Sequence, residues 1–168
     1  MIDDAGVYDV EENAEDTMVD KYLIFRIGTE EYGLEIRYVM DIIGIMKITE
    51  LPDTPEFVKG VINLRGKVIP VIDIRIRFNM EMRKYDERTC IINVNIMDNT
   101  VGLIVDSVSE VMDIASEDVE PAPSVNKGSS SRFISGLGKS GDEVKILLDI
   151  DKLLHEEELE KLQDAVTE

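Results

Sequence analysis

A chain of 168 residues can bury a core as one domain or as two small lobes that share it. Its net charge of -18 and its lack of tryptophan exclude a surface built for nucleic acid, where affinity comes from Lys and Arg on phosphates and from aromatic stacking. The 43% hydrophobic fraction is mainly Ile, Val, Leu and Met, which suits a β-sheet core.

The acidity lies mostly at the ends. Residues 1–20 hold eight acids, from Asp3 to Asp20, and no base, and they read as a solvated, flexible tail. The start MIDDAGVYDVEEN is acidic where a secretory signal would be basic and then apolar. No apolar stretch nears the ~20 residues of a membrane span, so membrane association is expected only through a partner.

Lys21 to Glu35 alternates apolar and polar residues around Gly28-Thr29-Glu30, which predicts a β-hairpin. In IRYVMDIIGIM, Ile36, Val39, Met40 and Ile43 have helical spacing, which predicts a short inter-strand helix stopped by Gly44 and then a strand through Ile48. LPDTPEF is a surface connection. Gly60 to Leu64 and Lys67 to Ile74 follow as a second hairpin with Arg65-Gly66 at its tip, and Pro70 assigns its strand to a sheet edge or a bulge.

The run from Arg75 to Arg88 reads as a connector to a second lobe starting near residue 86. There Thr89 to Ile96, Thr100 to Val105 and the VSEVMDI segment predict strands, with a turn at Met97-Asp98-Asn99. The single cysteine, Cys90, sits in an apolar run, where a small buried side chain in a reducing cytoplasm is the expected role. EPAPSVNKGSSSR is a surface loop, Phe133 to Leu137 and Val144 to Ile150 are strands, and residues 155–168 form an amphipathic helix. Roughly ten short strands with turns at this spacing predict two five-stranded barrels.

Reactive constellations are lacking in this pattern. GLGKSG, Gly136 to Gly141, matches a dinucleotide-binding spacing but runs into a strand, so a hairpin turn is the expected role. His155 is the only histidine and is expected to be exposed at the head of a charged helix. No nucleophile triad, metal spacing or converging carboxylate pair stands out, so function is sought in surfaces, with no enzyme activity, cofactor or metal expected.

EEYGLEI (Glu30 to Ile36), LPDTPEFVKGVINLRGKVIPVIDIRIRF (Leu51 to Phe78), VGLIVDSVSEV (Val101 to Val111), PAP (Pro121 to Pro123), ISGLGK (Ile134 to Lys139) and ILLDIDKLL (Ile146 to Leu154) together resemble the CheW-like family of bacterial chemotaxis. The resemblance covers residues 21–154 and implies two intertwined SH3-like β-barrels. It also implies a non-catalytic cytoplasmic adaptor, recruited to receptor arrays, that links the tip of transmembrane chemoreceptors to the regulatory domain of the histidine kinase CheA.

Carried over by position, Val39, Gly60, Arg65 and Val111 are receptor-facing, and Asp41 stands where relatives carry a Glu paired to the arginine. Ile43, Leu103 and Val105 would supply the aliphatic part of that groove, with Arg65 as its polar anchor. Cys90, Ile91 and Gly102 fall on the kinase side. A regulatory module of another pathway or of a larger signalling protein is the alternative, and a barrel binding a small polar ligand is a third reading.

Overall fold

From Lys21 the chain forms the hairpin of β1 (Lys21–Ile27) and β2 (Glu30–Glu35), whose turn uses Gly28 at a φ of 64°. This is a computed structural model, and it describes residues 18–122, 132–154 and 156–167. Residues 1–17, residues 123–131 where a surface loop is expected, His155 and Glu168 lie outside the described residues. A 3₁₀ turn, Ile36–Tyr38, leads into β3 (Val39–Gly44). The helix expected from Ile36 to Ile43 is therefore replaced by a turn and a strand. A bulge between Val39 and Asp41 inserts one residue into a period-two pattern, and that insertion mimics helical spacing.

Next come β4 (Val58–Leu64) and β5 (Lys67–Asp73), then α1 (Ile74–Arg77), β6 (Cys90–Ile96) and β7 (Asn99–Val105). β8 (Ser107–Asp113), β9 (Val119–Glu120), β10 (Ile134–Ser140), β11 (Glu143–Leu148) and α2 (Glu156–Thr167) complete the chain. The fold is mainly β and SH3-like, with a five-stranded sheet in the order β3-β6-β7-β5-β4 and a six-stranded one in the order β8-β1-β2-β11-β10-β9. Both sheets are open at their edges. GLGKSG closes the β10–β11 hairpin, with Ser140 opposite Glu143.

The lobes do not divide near residue 86. β6 and β7 join β3, β4 and β5 in one sheet, while the first hairpin pairs with β8 and β11 in the other. The parallel pairs β5–β7 and β2–β11 produce this interleaving, and no local pattern encodes them. Nor is β5 an edge strand, since it lies between β7 and β4. Pro70 is tolerated there because the β7 ladder begins only at Val71, and Val61 opposite it turns both backbone groups outward to Thr49, at 2.8 Å each.

The main core lies between the sheets and includes Leu23, Phe25, Leu34, Ile92, Leu103 and Val105. Leu159 and Leu162 of α2 close it, as the amphipathic pattern predicted. The opposite face of the five-stranded sheet curls over a smaller core of Ile62, Ile69, Val71, Ile91 and Ile104. Ile43, Ile45, Met46 and Ile48 pack against it from β3 and the segment that follows.

Two arginines of α1 bind the lobes together. Arg75 grips Asp106 with Nε at 2.8 Å and Nη2 at 2.7 Å, and the same carboxylate accepts the Gly28 N–H at 2.8 Å. Arg77 donates to the Leu153 carbonyl at 2.6 Å and to Glu158 at 3.0 Å, and its guanidinium lies 4.2 Å over the Phe57 ring. Burial alone would raise the Asp106 carboxyl. The hydrogen bonds from Arg75 and Gly28, with the charges of Arg75 and Arg83, bring it below its ordinary range.

Candidate interaction site at the seam of the five-stranded lobe

The two edges of the five-stranded sheet, β3 and β4, are not hydrogen-bonded to each other, so the lobe has a seam. Arg65 and Gly66 form the two-residue turn of the β4–β5 hairpin with φ of 53° and 87°, a left-handed pair that matches the twist of the flanking strands. Asn63 Oδ1 accepts the Gly66 N–H at 2.9 Å and fixes the turn. From this tip Arg65 Nη2 crosses the seam to Asp41 Oδ2 on β3, at 2.5 Å.

Asp41 is held for this contact, because its other oxygen accepts the Ile42 N–H at 3.0 Å. The shorter side chain thus reaches the arginine. Arg65 nevertheless keeps 74% of its side chain exposed, against 32% for Asp41, so most of its donors face outward. An exposed pair of this kind contributes only ~0–1 kcal/mol to stability.

Gly60 lies buried at a bulge in β4, with a φ of 142°. A Cβ there would collide with the carbonyl of Thr49, which bonds to Val61 next door. Close backbone approach is what requires a glycine here. Val39 is half-buried against the main core, and Ile43 is half-buried at the smaller one. Val111 is 50% exposed on β8, an edge strand of the other sheet.

Other expected contacts are corrected by their burial. Leu103 is 0% and Val105 is 1% exposed, both within the main core, so neither lines a groove. Ile91 is 0% exposed, and Gly102 is a buried spacer whose Cβ would crowd Val71 and Ile91. Of the three expected kinase-side residues only Cys90 is partly accessible, with Sγ 3.3 Å from the Arg88 carbonyl.

The seam also gathers residues that the sequence did not single out. Met40, Leu64, Lys67, Asn93 and Thr100 join Asp41 and Arg65 around a depression of about 330 Å³. The only advance signal was Asn93 itself, a polar residue inside the apolar run of β6. Among the described residues no group of three or more His, Cys, Asp or Glu is placed to hold a metal, and no helix is long and apolar enough to cross a membrane.

Residues 21–158 match the family model of the CheW-like domain. The chain is 41% identical over 155 residues to the chemotaxis protein CheW of Klebsiella aerogenes, covering 92% of this chain and 93% of that one. It is 33% identical to the chemotaxis protein CheW of Treponema pallidum, covering 82% and 84%. Among solved structures it is similar to the scaffolding protein CheW of Thermoanaerobacter tengcongensis, with a TM-score of 0.75 and 40% identity, over 80% of this chain and 91% of that one.

Proposed function

The chain belongs to the CheW-like family, and from that premise we propose that this chemotaxis adaptor couples the cytoplasmic tip of a chemoreceptor to the regulatory domain of a CheA-type histidine kinase. It does so without catalysis of its own, and it reaches the membrane only through the receptors. The observation that carries this reading is Arg65: a tight turn and Asp41 hold the guanidinium in place, and most of it still faces outward. Such an arginine costs little entropy to engage and offers a flat face with several donors, the properties of an interface anchor. Asp41 and Ile43 on one face of β3, and Val39 across the bulge from them, are assigned to the receptor-facing side, Val111 extends it on the second lobe, and Cys90 belongs to the kinase side.

Reconstitution tests the proposal. Receptor-dependent autophosphorylation of the kinase should rise when the protein is added, and Arg65→Asp or Val39→Met should abolish the rise while leaving a folded protein. Equal stimulation by wild type and Arg65→Asp would sink the assigned surface, and no stimulation by wild type would sink the coupling role.

A further inference from the structure

We propose that the mouth of the five-stranded lobe is a socket for one primary-amide side chain, a glutamine or asparagine, presented by the protein that docks on the Arg65 surface. The inference rests on the coupling role just argued and adds the chemistry that sets its register. Asn93 on β6 is 1% exposed, yet neither its Oδ1 nor its Nδ2 has a hydrogen-bond partner in the chain. It sits at the floor of the depression whose rim carries Met40, Arg65, Lys67 and Thr100.

Its neighbours explain why it is left unpaired. Across the ladders Asn93 stands opposite Asp41 on one side and Gly102 on the other. The Asp41 carboxylate is taken by Arg65 and the Ile42 N–H, and Gly102 has no side chain to offer. That missing side chain also makes the room, since a Cβ on Gly102 would lie 3.1 Å from Asn93 Oδ1. Ile91, two residues earlier on the same face, shows that an aliphatic side chain suits this lobe. An unpaired buried amide is therefore destabilising here, which points to a use outside the isolated chain.

The two orphan atoms are one acceptor and one donor. A carboxylate could satisfy only Nδ2 and an ammonium only Oδ1, and a hydroxyl must serve both from a single atom, whereas a primary amide sets its donor and acceptor at the spacing of Asn93's own and satisfies both in a reciprocal pair. Strand addition at the free edges β3 or β4 would pair backbone groups and leave the side chain of Asn93, on the interior strand β6, without a partner. The aliphatic stem of the incoming side chain would lie against Leu64 and Ile69. Arg65 can stay in place as the partner enters, because Met40 on the opposite rim is 57% exposed and its flexible side chain adapts at little cost.

The test uses the full chain with two separate probes, a receptor-tip fragment and the kinase regulatory domain. Asn93→Leu should leave the melting temperature equal or higher and kinase-domain binding unchanged, yet weaken binding to the receptor-tip fragment on the order of tenfold. Changing that probe's exposed Asn and Gln residues to Leu one at a time should reveal one position whose loss is not additive with Asn93→Leu. Unchanged affinity for the receptor-tip fragment, with Arg65→Asp still weakening binding, would overturn the socket and leave the coupling role standing. If Arg65→Asp also has no effect, the docking surface fails and the socket with it. Should Asn93→Leu fail to fold, the Asn93 side-chain ¹⁵N–¹H resonances of the wild-type chain decide. They should shift on addition of the probe and not with its Leu variant, and no shift means that the amide holds an ordered water only.

Discussion

The joint between the lobes and the seam of the five-stranded lobe each depend on an arginine–carboxylate pair, but the pairs differ in burial. At the joint, Arg75 and Asp106 have side chains only 16% and 8% exposed, and Gly28 shares the carboxylate. At the seam, Arg65 meets Asp41 with most of its guanidinium in solvent. A desolvated, fully bonded pair fixes how two sheets meet, because losing either member strands a buried charge. A solvated pair fixes almost nothing, and it leaves an oriented group available to a partner.

The largest effect should come from breaking the joint. Asp106→Ala strands Arg75 and the Gly28 N–H, and should lower unfolding stability by about 3–5 kcal/mol, read by urea or thermal denaturation. A loss near zero would mean that the two sheets are held by their apolar core alone. Next in size is Gly60→Ala, which places a Cβ against the Thr49 carbonyl at a φ that disfavours side chains. It should cost about 1–3 kcal/mol in the same measurement, and any loss of partner binding should follow the loss of folded protein. Binding lost in a fully folded Gly60→Ala variant would instead make Gly60 part of the docking surface.

Acid titration sharpens the contrast further. The Asp106 carboxyl is depressed in the folded state, and so is that of Glu31, chiefly through its hydrogen bond from buried Lys145. A depressed carboxylate stabilises the fold above its unfolded pKa of about 4, and that contribution fades as pH falls through the lower folded value. Stability should therefore drop below about pH 4, and less steeply in Asp106→Asn. Denaturation midpoints measured from neutral pH down to acid would check it, and equal slopes would deny the joint this role.

How legible these regions were from the sequence follows from their range. Hairpins, turns and the amphipathic α2 are local, and the alternation of Leu23, Phe25 and Ile27 or the Gly66 turn announces them. The joint depends on Asp106 and Arg75, brought together by a parallel strand pair that leaves no local mark. The sequence hides the burial of Leu103 and Val105 for a related reason: VGLIV is buried on both faces of β7, and a continuous apolar run does not say which face meets a partner. β3 carries the spacing of a helix because a 3₁₀ turn and a bulge reset its alternation. Arg65 and Asp41 came through the family resemblance. Asn93 did not, since one polar residue in a strand gains meaning only when its neighbours across the ladders are known.

The smallest effect on stability should come from the seam, and there the comparison can be pressed hardest. Arg65→Ala should change unfolding stability by no more than about 1 kcal/mol, although it removes the one side chain that crosses from the hairpin tip to β3. If the pair serves mainly to close the lobe, the exchange Arg65→Asp with Asp41→Arg should restore both stability and partner binding, because the bridge reforms with its charges reversed. If instead Asp41 holds Arg65 for another protein, the exchanged pair should fold as well as wild type and still fail to bind. The guanidinium would then rise from β3 and no longer from the left-handed turn that presents it. Equilibrium binding of the receptor-tip fragment to the exchanged protein separates the two, and recovery to wild-type affinity would reduce Arg65 from an anchor to a clasp.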